Sequence, residues 1–125
     1  SDLAPLTADL ARMFKTETGA TIQFTLGSSG TLKRQIENGA PFDVYLSANE
    51  GFVQELEASG KILAGSRIVY ATGRLGWAAK PEFRALEDLR RARLIAIPNP
   101  AHAPYGVAAR EFLKSKGLWE ELQPR

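Results

Sequence analysis

The 125-residue chain contains no cysteine, a single histidine and a single methionine. The lack of cysteine excludes disulfides, thiolate metal sites and a cysteine nucleophile. No apolar run approaches the roughly 20 residues that a membrane-spanning helix needs. The first residues also lack the basic-then-apolar pattern of an export signal, so we expect such a signal to have been removed or never to have existed. With 44% hydrophobic and 24% charged residues, the composition is that of a globular protein with a packed core.

The chain also has little excess charge, because 16 Lys and Arg residues oppose 14 Asp and Glu residues. Its densest basic cluster is Arg90-Arg91-Ala92-Arg93, at the end of a predicted short helix. Basic residues in that position commonly complement the helix dipole. We therefore expect no nucleic-acid partner.

Apolar residues recur at helical spacing in five segments, which predicts helices. Pro5 suits the first turn of the first helix, and Gly19 is placed to end it. The predicted helices cover residues 4–18, 31–38, 50–59, 86–90 and 105–116.

Short β-branched or alternating apolar segments between the helices predict strands. They cover residues 21–26, 43–46, 68–71, 75–78 and 94–97. Strands that alternate with helices are typical of an α/β fold with a mainly parallel sheet. The strict alternation ends near residues 60–73, so we expect a first lobe over 1–71 and a second over 72–125.

The turn Gly27-Ser28-Ser29-Gly30-Thr31, which we call the serine turn, is the strongest candidate for a binding site. It precedes a helix, whose N-terminus offers free N–H groups to an anion. Its spacing is not that of a nucleotide phosphate loop, because Leu32 rather than glycine stands before Lys33. Serine and glycine also favour plain helix caps, so composition alone leaves both interpretations open.

Few residues are suited to acid–base chemistry. His102 lies in a proline-flanked loop, and Asp43 precedes an apolar segment where a structural role is more common. No Ser/His/Asp arrangement, carboxylate pair or metal-ligand cluster is apparent. The sequence therefore predicts a binding protein, not an enzyme, with no resident metal or cofactor.

Three segments together resemble the periplasmic molybdate-binding proteins of ABC importers. They are Gly27–Ile36, Gly39–Ala48 and the stretch from Ile97 to Glu111, with Leu118-Trp119 and Leu122 as further matches. The resemblance implies a type II periplasmic-binding-protein fold, with two α/β lobes that close on molybdate or tungstate. It also implies a membrane permease as partner and a periplasmic or extracytoplasmic location.

The resemblance further implies that neutral hydroxyl and N–H groups hold the oxyanion. Matched position by position, these ligands fall on Ser1, Ser29 and Tyr105, with Ser28 and Gly30 as additional candidates. Neutral donors avoid the desolvation cost of a buried lysine. A protonated oxyanion would bring its own hydrogen to a site that offers only donors.

The sequence departs from the family in two respects. Family members are considerably longer, so we expect a partial chain whose unpaired strands are completed by strand exchange or oligomer formation. Asn49 and Asn99 replace aspartates that are common in the family, but both keep an oxygen for capping.

Other functions remain possible from the sequence. The same fold binds sulfate or phosphate in related receptors, and it also serves as the ligand-sensing domain of transcription regulators. A phosphoryl-transfer enzyme is the least favoured alternative, because no base, metal ligand or phosphate-binding lysine is placed for it.

Overall fold

The computed structural model describes residues 3–123, so the candidate ligand Ser1 lies outside the described residues. Within residues 3–123, five α-helices and two 3₁₀ helices succeed one another. The 3₁₀ helices are Ala4–Leu6 and Leu86–Arg91; the α-helices are α1 (Thr7–Thr18), α2 (Ser29–Glu37), α3 (Glu50–Ala58), α4 (Pro104–Ser115) and α5 (Trp119–Leu122).

The first predicted helix is confirmed, although it begins as a 3₁₀ turn. Pro5 lies in that turn, where its missing N–H costs no hydrogen bond. Gly19 ends α1 with φ of 75°, a left-handed conformation that glycine adopts without steric penalty. Its N–H donates to the carbonyl of Lys15 at 2.9 Å.

Helices α2 and α3 pack against each other around the buried side chains of Ile36 and Leu56. An ion-pair network reinforces the contact, since Lys33 Nζ lies 2.8 Å from Glu37 Oε1 and 2.7 Å from Glu55 Oε2. Hydrogen bonds to Glu37 and Glu55 raise the pKa of Lys33 above its usual range, so the ammonium stays charged. The network fixes α2 relative to α3.

A second cluster forms where α4, α5 and the 3₁₀ helix Leu86–Arg91 meet. Leu113, Leu118 and Leu122 are buried there, and Trp119 packs against them. The short α5 was not among the predicted helices, because four residues are too few for helical spacing to be recognised. The predicted helices over 86–90 and 105–116 are confirmed within one residue at each end.

The five predicted strands are not formed in the part of the chain that the structure describes. No backbone hydrogen bonds join residues 21–26, 43–46, 75–78 and 94–97 into a ladder. Their apolar side chains are largely exposed, as in Val44 and Leu94 at 77% and 81%. A strand, unlike a helix, needs a second segment for its hydrogen bonds. The strand assignment was therefore wrong for these residues, although their composition has high β-propensity.

No helix among residues 3–123 has the length and apolar character required to cross a membrane.

Replacing Leu56 by alanine should destabilise the fold strongly, because this side chain is fully buried between α2 and α3. We expect a loss of about 2–5 kcal/mol in the free energy of unfolding, measured by urea denaturation. Leu63→Ala is the matched control, since Leu63 is 79% exposed and should change the same quantity by less than about 0.5 kcal/mol. Equal losses in the two variants would contradict the packing described here.

Asp88 should make stability depend on pH in the acid range. Its carboxylate accepts hydrogen bonds from the N–H groups of Ala85 and Arg84 and from Arg91, which lower its pKa to about 2. A carboxylate with a lowered pKa stabilises the folded state at pH values above its pKa in the unfolded chain, about 3.9. This contribution disappears as the pH falls toward 2. The difference in urea midpoint between the native chain and Asp88→Ala should therefore shrink between pH 5 and pH 2. A difference that is constant over this range would rule out the carboxylate as its source.

Candidate functional site

The first serine of the serine turn caps α2. Ser28 has an extended backbone, and its Oγ accepts the N–H of Thr31 at 3.2 Å. Its hydroxyl hydrogen is also used, since Ser28 Oγ donates to Thr31 Oγ1 at 2.8 Å. This cap starts the helix at Ser29, two residues before the predicted start at Thr31. Ser28 is thus the N-cap of α2, one of the two interpretations that composition alone left open.

The second serine has a different environment. Ser29 is the first residue of α2 and is only 9% exposed. Its Oγ accepts the N–H of Ala48 at 3.1 Å, which occupies an acceptor position of the hydroxyl. Within residues 3–123, no hydrogen bond uses the Ser29 O–H as a donor. A nearly buried hydroxyl in this state is suited to donate to an anion.

Tyr45 also holds Ser29. Its phenol donates to the carbonyl oxygen of Ser29 at 2.7 Å. Burial raises the pKa of Tyr45, so its hydroxyl is protonated and remains a donor at neutral pH. The segment from Tyr45 to Ala48 therefore bonds to Ser29 at both its side chain and its backbone.

The serine turn lies directly against the loop before α4. The N–H of Gly30 donates to the carbonyl of His102 at 3.2 Å. A Cβ at Gly30 would lie 2.9 Å from both Cα and the carbonyl oxygen of His102, so only glycine permits this approach. The N–H of this candidate ligand is thus engaged with the protein, and His102 contributes through its backbone.

The loop before α4 carries Tyr105 to a nearby cleft of about 300 Å³. Asn99 shapes the loop, because its side-chain oxygen accepts the N–H of Ala101 at 2.8 Å. A Cβ at Gly73 would lie 3.1 Å from the Tyr105 hydroxyl, which places this phenol beside residues 72–73. Ser29 does not line the cleft, but Ala48, which bonds to it, does. The lining residues are Ser47, Ala48, Glu50, Val53, Arg67, Ile68, Val69, Tyr70, Ala71, Thr72, Gly73 and Tyr105.

Two cations near this site, Arg67 and Lys33, are paired with carboxylates. Arg67 lines the cleft, where its guanidinium contacts Glu50 and lies 3.3 Å from Glu57. On α2, Lys33 is held by Glu37 and Glu55. An anion at the serine turn would therefore be bound mainly through hydroxyl and N–H groups at a helix N-terminus.

The structure brings most of the predicted site residues into one region, although it does not test their contact with a ligand. Ser28, Ser29 and Gly30 begin α2, and Tyr105 begins α4 on the other side of the Gly30–His102 contact. Sequence reasoning missed Tyr45, Ala48 and the backbone role of His102. One signal could have pointed to Tyr45 and Ala48: they lie near the carboxyl end of an apolar segment, where α/β folds bind ligands.

Gly30→Ala should disturb the junction between the serine turn and the loop before α4. The added Cβ would meet the backbone of His102, which cannot rotate away as a side chain can. We expect a loss of about 1–3 kcal/mol in the free energy of unfolding, measured by urea denaturation. Gly76→Ala is the control, because no atom lies within 4 Å of a Cβ built there. A Gly30→Ala variant as stable as this control would contradict the close approach.

Several known proteins of similar sequence and structure are molybdate-binding proteins. ModA of Azotobacter vinelandii is 39% identical over 122 residues, which cover 94% of this chain and 48% of that protein. ModA of Rhodobacter capsulatus is 36% identical over 124 residues, again 94% and 48% of the two chains, and ModA of Escherichia coli is 32% identical over 129 residues, 94% and 49%. The chain thus spans about half the length of these curated relatives.

The solved structure of the Azotobacter vinelandii periplasmic molybdate-binding protein matches with a TM-score of 0.76 and 36% identity. The match covers 98% of this chain and 55% of that one. It confirms the predicted α/β fold class of the type II periplasmic binding proteins, although the hydrogen-bonded sheet of that fold is not formed among residues 3–123. The family model described as bacterial extracellular solute-binding protein matches residues 1–125. The chain belongs to the bacterial extracellular solute-binding protein family.

Proposed function

We propose that the protein is the extracytoplasmic substrate-binding component of an ABC importer, and that it binds molybdate or tungstate. The observation that carries the proposal is the nearly buried Ser29 hydroxyl, which accepts from Ala48 and has no acceptor for its own hydrogen among the described residues. The molybdate-binding relatives support the choice of ligand. The proposal includes no catalytic step.

The bonding state of Ser29 supports selection for a fully deprotonated oxyanion. Because the N–H of Ala48 occupies its oxygen, the hydroxyl is directed to act as a donor toward a ligand. A molybdate oxygen has only lone pairs to offer such a group, whereas a protonated phosphate oxygen presents a competing hydrogen. Leaving that hydrogen without an acceptor costs about 1–3 kcal/mol in a buried site.

Tyr105 is proposed as the contact from the first turn of α4, and Ser1 as a contact from the start of the chain. Tyr105 lies at the first turn of α4, where the backbone also presents free N–H groups. Two helix N-termini would then face one anion, and both dipoles would favour its negative charge. A membrane permease is the proposed partner that receives the loaded protein.

Ligand selectivity should appear in the thermal stability of the protein. A ligand at a hundredfold excess over its Kd adds about 2.7 kcal/mol to stability, so we expect a raised Tm with molybdate and with tungstate. Sulfate and phosphate at the same concentration should give much smaller shifts. A shift with sulfate or phosphate and none with molybdate or tungstate would overturn the proposed specificity.

Ser29→Ala should weaken molybdate binding about ten- to hundredfold, because it removes a hydrogen bond to a charged ligand worth about 1.5–3 kcal/mol. The measurement is the Kd by isothermal titration calorimetry. Ser66→Ala is the matched control: it also deletes a hydroxyl, one that donates to the Leu63 carbonyl in an exposed loop, and should leave the Kd unchanged. If Ser29→Ala binds as tightly as this control, the serine turn is only a helix start.

A further inference from the structure

We infer that Tyr45 is a positioning residue for the oxyanion site, which holds Ser29 in place through the hydrogen bond from its phenol to the Ser29 carbonyl. This inference rests on the proposed function, in which Ser29 is a ligand. Nothing in the resemblance to the molybdate-binding family had assigned a role to Tyr45. The role follows from the contacts around the first residue of α2.

The geometry isolates Tyr45 as an anchor. Its hydroxyl lies 2.7 Å from the Ser29 carbonyl oxygen, the shorter of the two bonds that reach Ser29 from residues 45–48. The other is the bond from the Ala48 N–H to Ser29 Oγ at 3.1 Å. The two bonds come from one short segment. The Tyr45 bond restrains the backbone of Ser29, and the Ala48 bond restrains the position of its Oγ.

The anchor matters because the helix holds Ser29 through its carbonyl and leaves its N–H side unsupported. The first residue of a helix has an N–H with no intrahelical acceptor, and the Ser28 cap bonds to Thr31, not to Ser29. Small displacements of a ligand-binding hydroxyl weaken a hydrogen bond steeply, because its strength depends on both distance and angle. Loss of the Tyr45 bond therefore reaches the ligand through Ser29, without any contact between Tyr45 and the ligand.

The test is Tyr45→Phe, which removes one oxygen and keeps the ring. We expect molybdate binding to weaken about three- to tenfold, because a displaced Ser29 hydroxyl would keep only part of its bond to the anion. Thr18→Val is the matched control, because it is also an isosteric loss of a hydroxyl that donates to a backbone carbonyl at 2.7 Å, that of Phe14 in α1. Its Kd should stay within about twofold of the native value.

A double-mutant cycle separates positioning from a general structural effect. In a Ser29→Ala background, the hydroxyl that Tyr45 positions is gone, so Tyr45→Phe should change the Kd by less than about twofold. If the effects of the two substitutions on the Kd instead multiply, Tyr45 acts on something other than Ser29 and the inference is overturned. Native affinity in Tyr45→Phe alone, alongside weakened binding in Ser29→Ala, would overturn the inference and leave the proposed function intact.

A second measurement needs no ligand. The amide of Ala48 is bonded to Ser29 Oγ, so displacement of Ser29 should speed its hydrogen exchange, read by NMR. We expect faster exchange at Ala48 in Tyr45→Phe and native exchange in Thr18→Val. Unchanged exchange in Tyr45→Phe would overturn the inference. Absence of molybdate binding by the native protein would instead contradict the proposed function, and the exchange result would still decide whether Tyr45 positions Ser29.

Discussion

The site depends on one close backbone contact, between Gly30 and His102. Because Gly30 has no side chain, the start of α2 can lie against the loop that leads into α4, and its N–H can reach the His102 carbonyl. A second close approach that requires glycine occurs at the start of α4. A Cβ at Gly106, in the first turn of α4, would collide with the carbonyl of Pro98. Glycine in the first turn of each helix thus lets both N-termini approach neighbouring backbone, where any other residue would separate them.

This packing decides what kind of chemistry the region supports. Two helix starts present backbone N–H groups and hydroxyls, while Lys33 and Arg67 are held by glutamates. A positive side chain buried beside an anion would first have to lose its water, at a cost that Coulomb attraction does not always recover. Neutral donors that are already fixed in place avoid that cost. They also favour a ligand oxygen that carries no hydrogen, because the Ser29 hydroxyl already accepts from Ala48 and has its own hydrogen left to donate.

Helices were predictable from the sequence and strands were not, for a physical reason. The signals that start and end α1 and α3 are local: Gly19 supplies the left-handed ending, and Asn49 caps α3 by accepting the N–H of Phe52. Asn49 supplies the capping oxygen expected of it, whereas the Asn99 oxygen closes a turn by accepting the N–H of Ala101, and α4 begins after Ala103 without a side-chain cap. Strand propensity is also local, but a ladder is not. Residues such as Ile68 have high β-propensity, but without a neighbouring strand they form no sheet, and the Ile68 side chain is 79% exposed.

In the candidate site, too, local features could be predicted from the sequence and contacts between distant residues could not. The sequence indicated the serine turn because hydroxyls and glycines at a helix start are visible in a single stretch of chain, and the family resemblance added Tyr105. Only the family resemblance ranked Ser29 above Ser28, because the physical distinction lies in their partners. Ser28 bonds to Thr31, three residues away, and Ser29 bonds to Ala48 and Tyr45, nineteen and sixteen residues away. Nor could the sequence reveal the part played by the His102 carbonyl, since every residue has a carbonyl and only the fold decides which one is met. A site built largely from backbone groups leaves its clearest trace in the sequence as the glycines that make room for them.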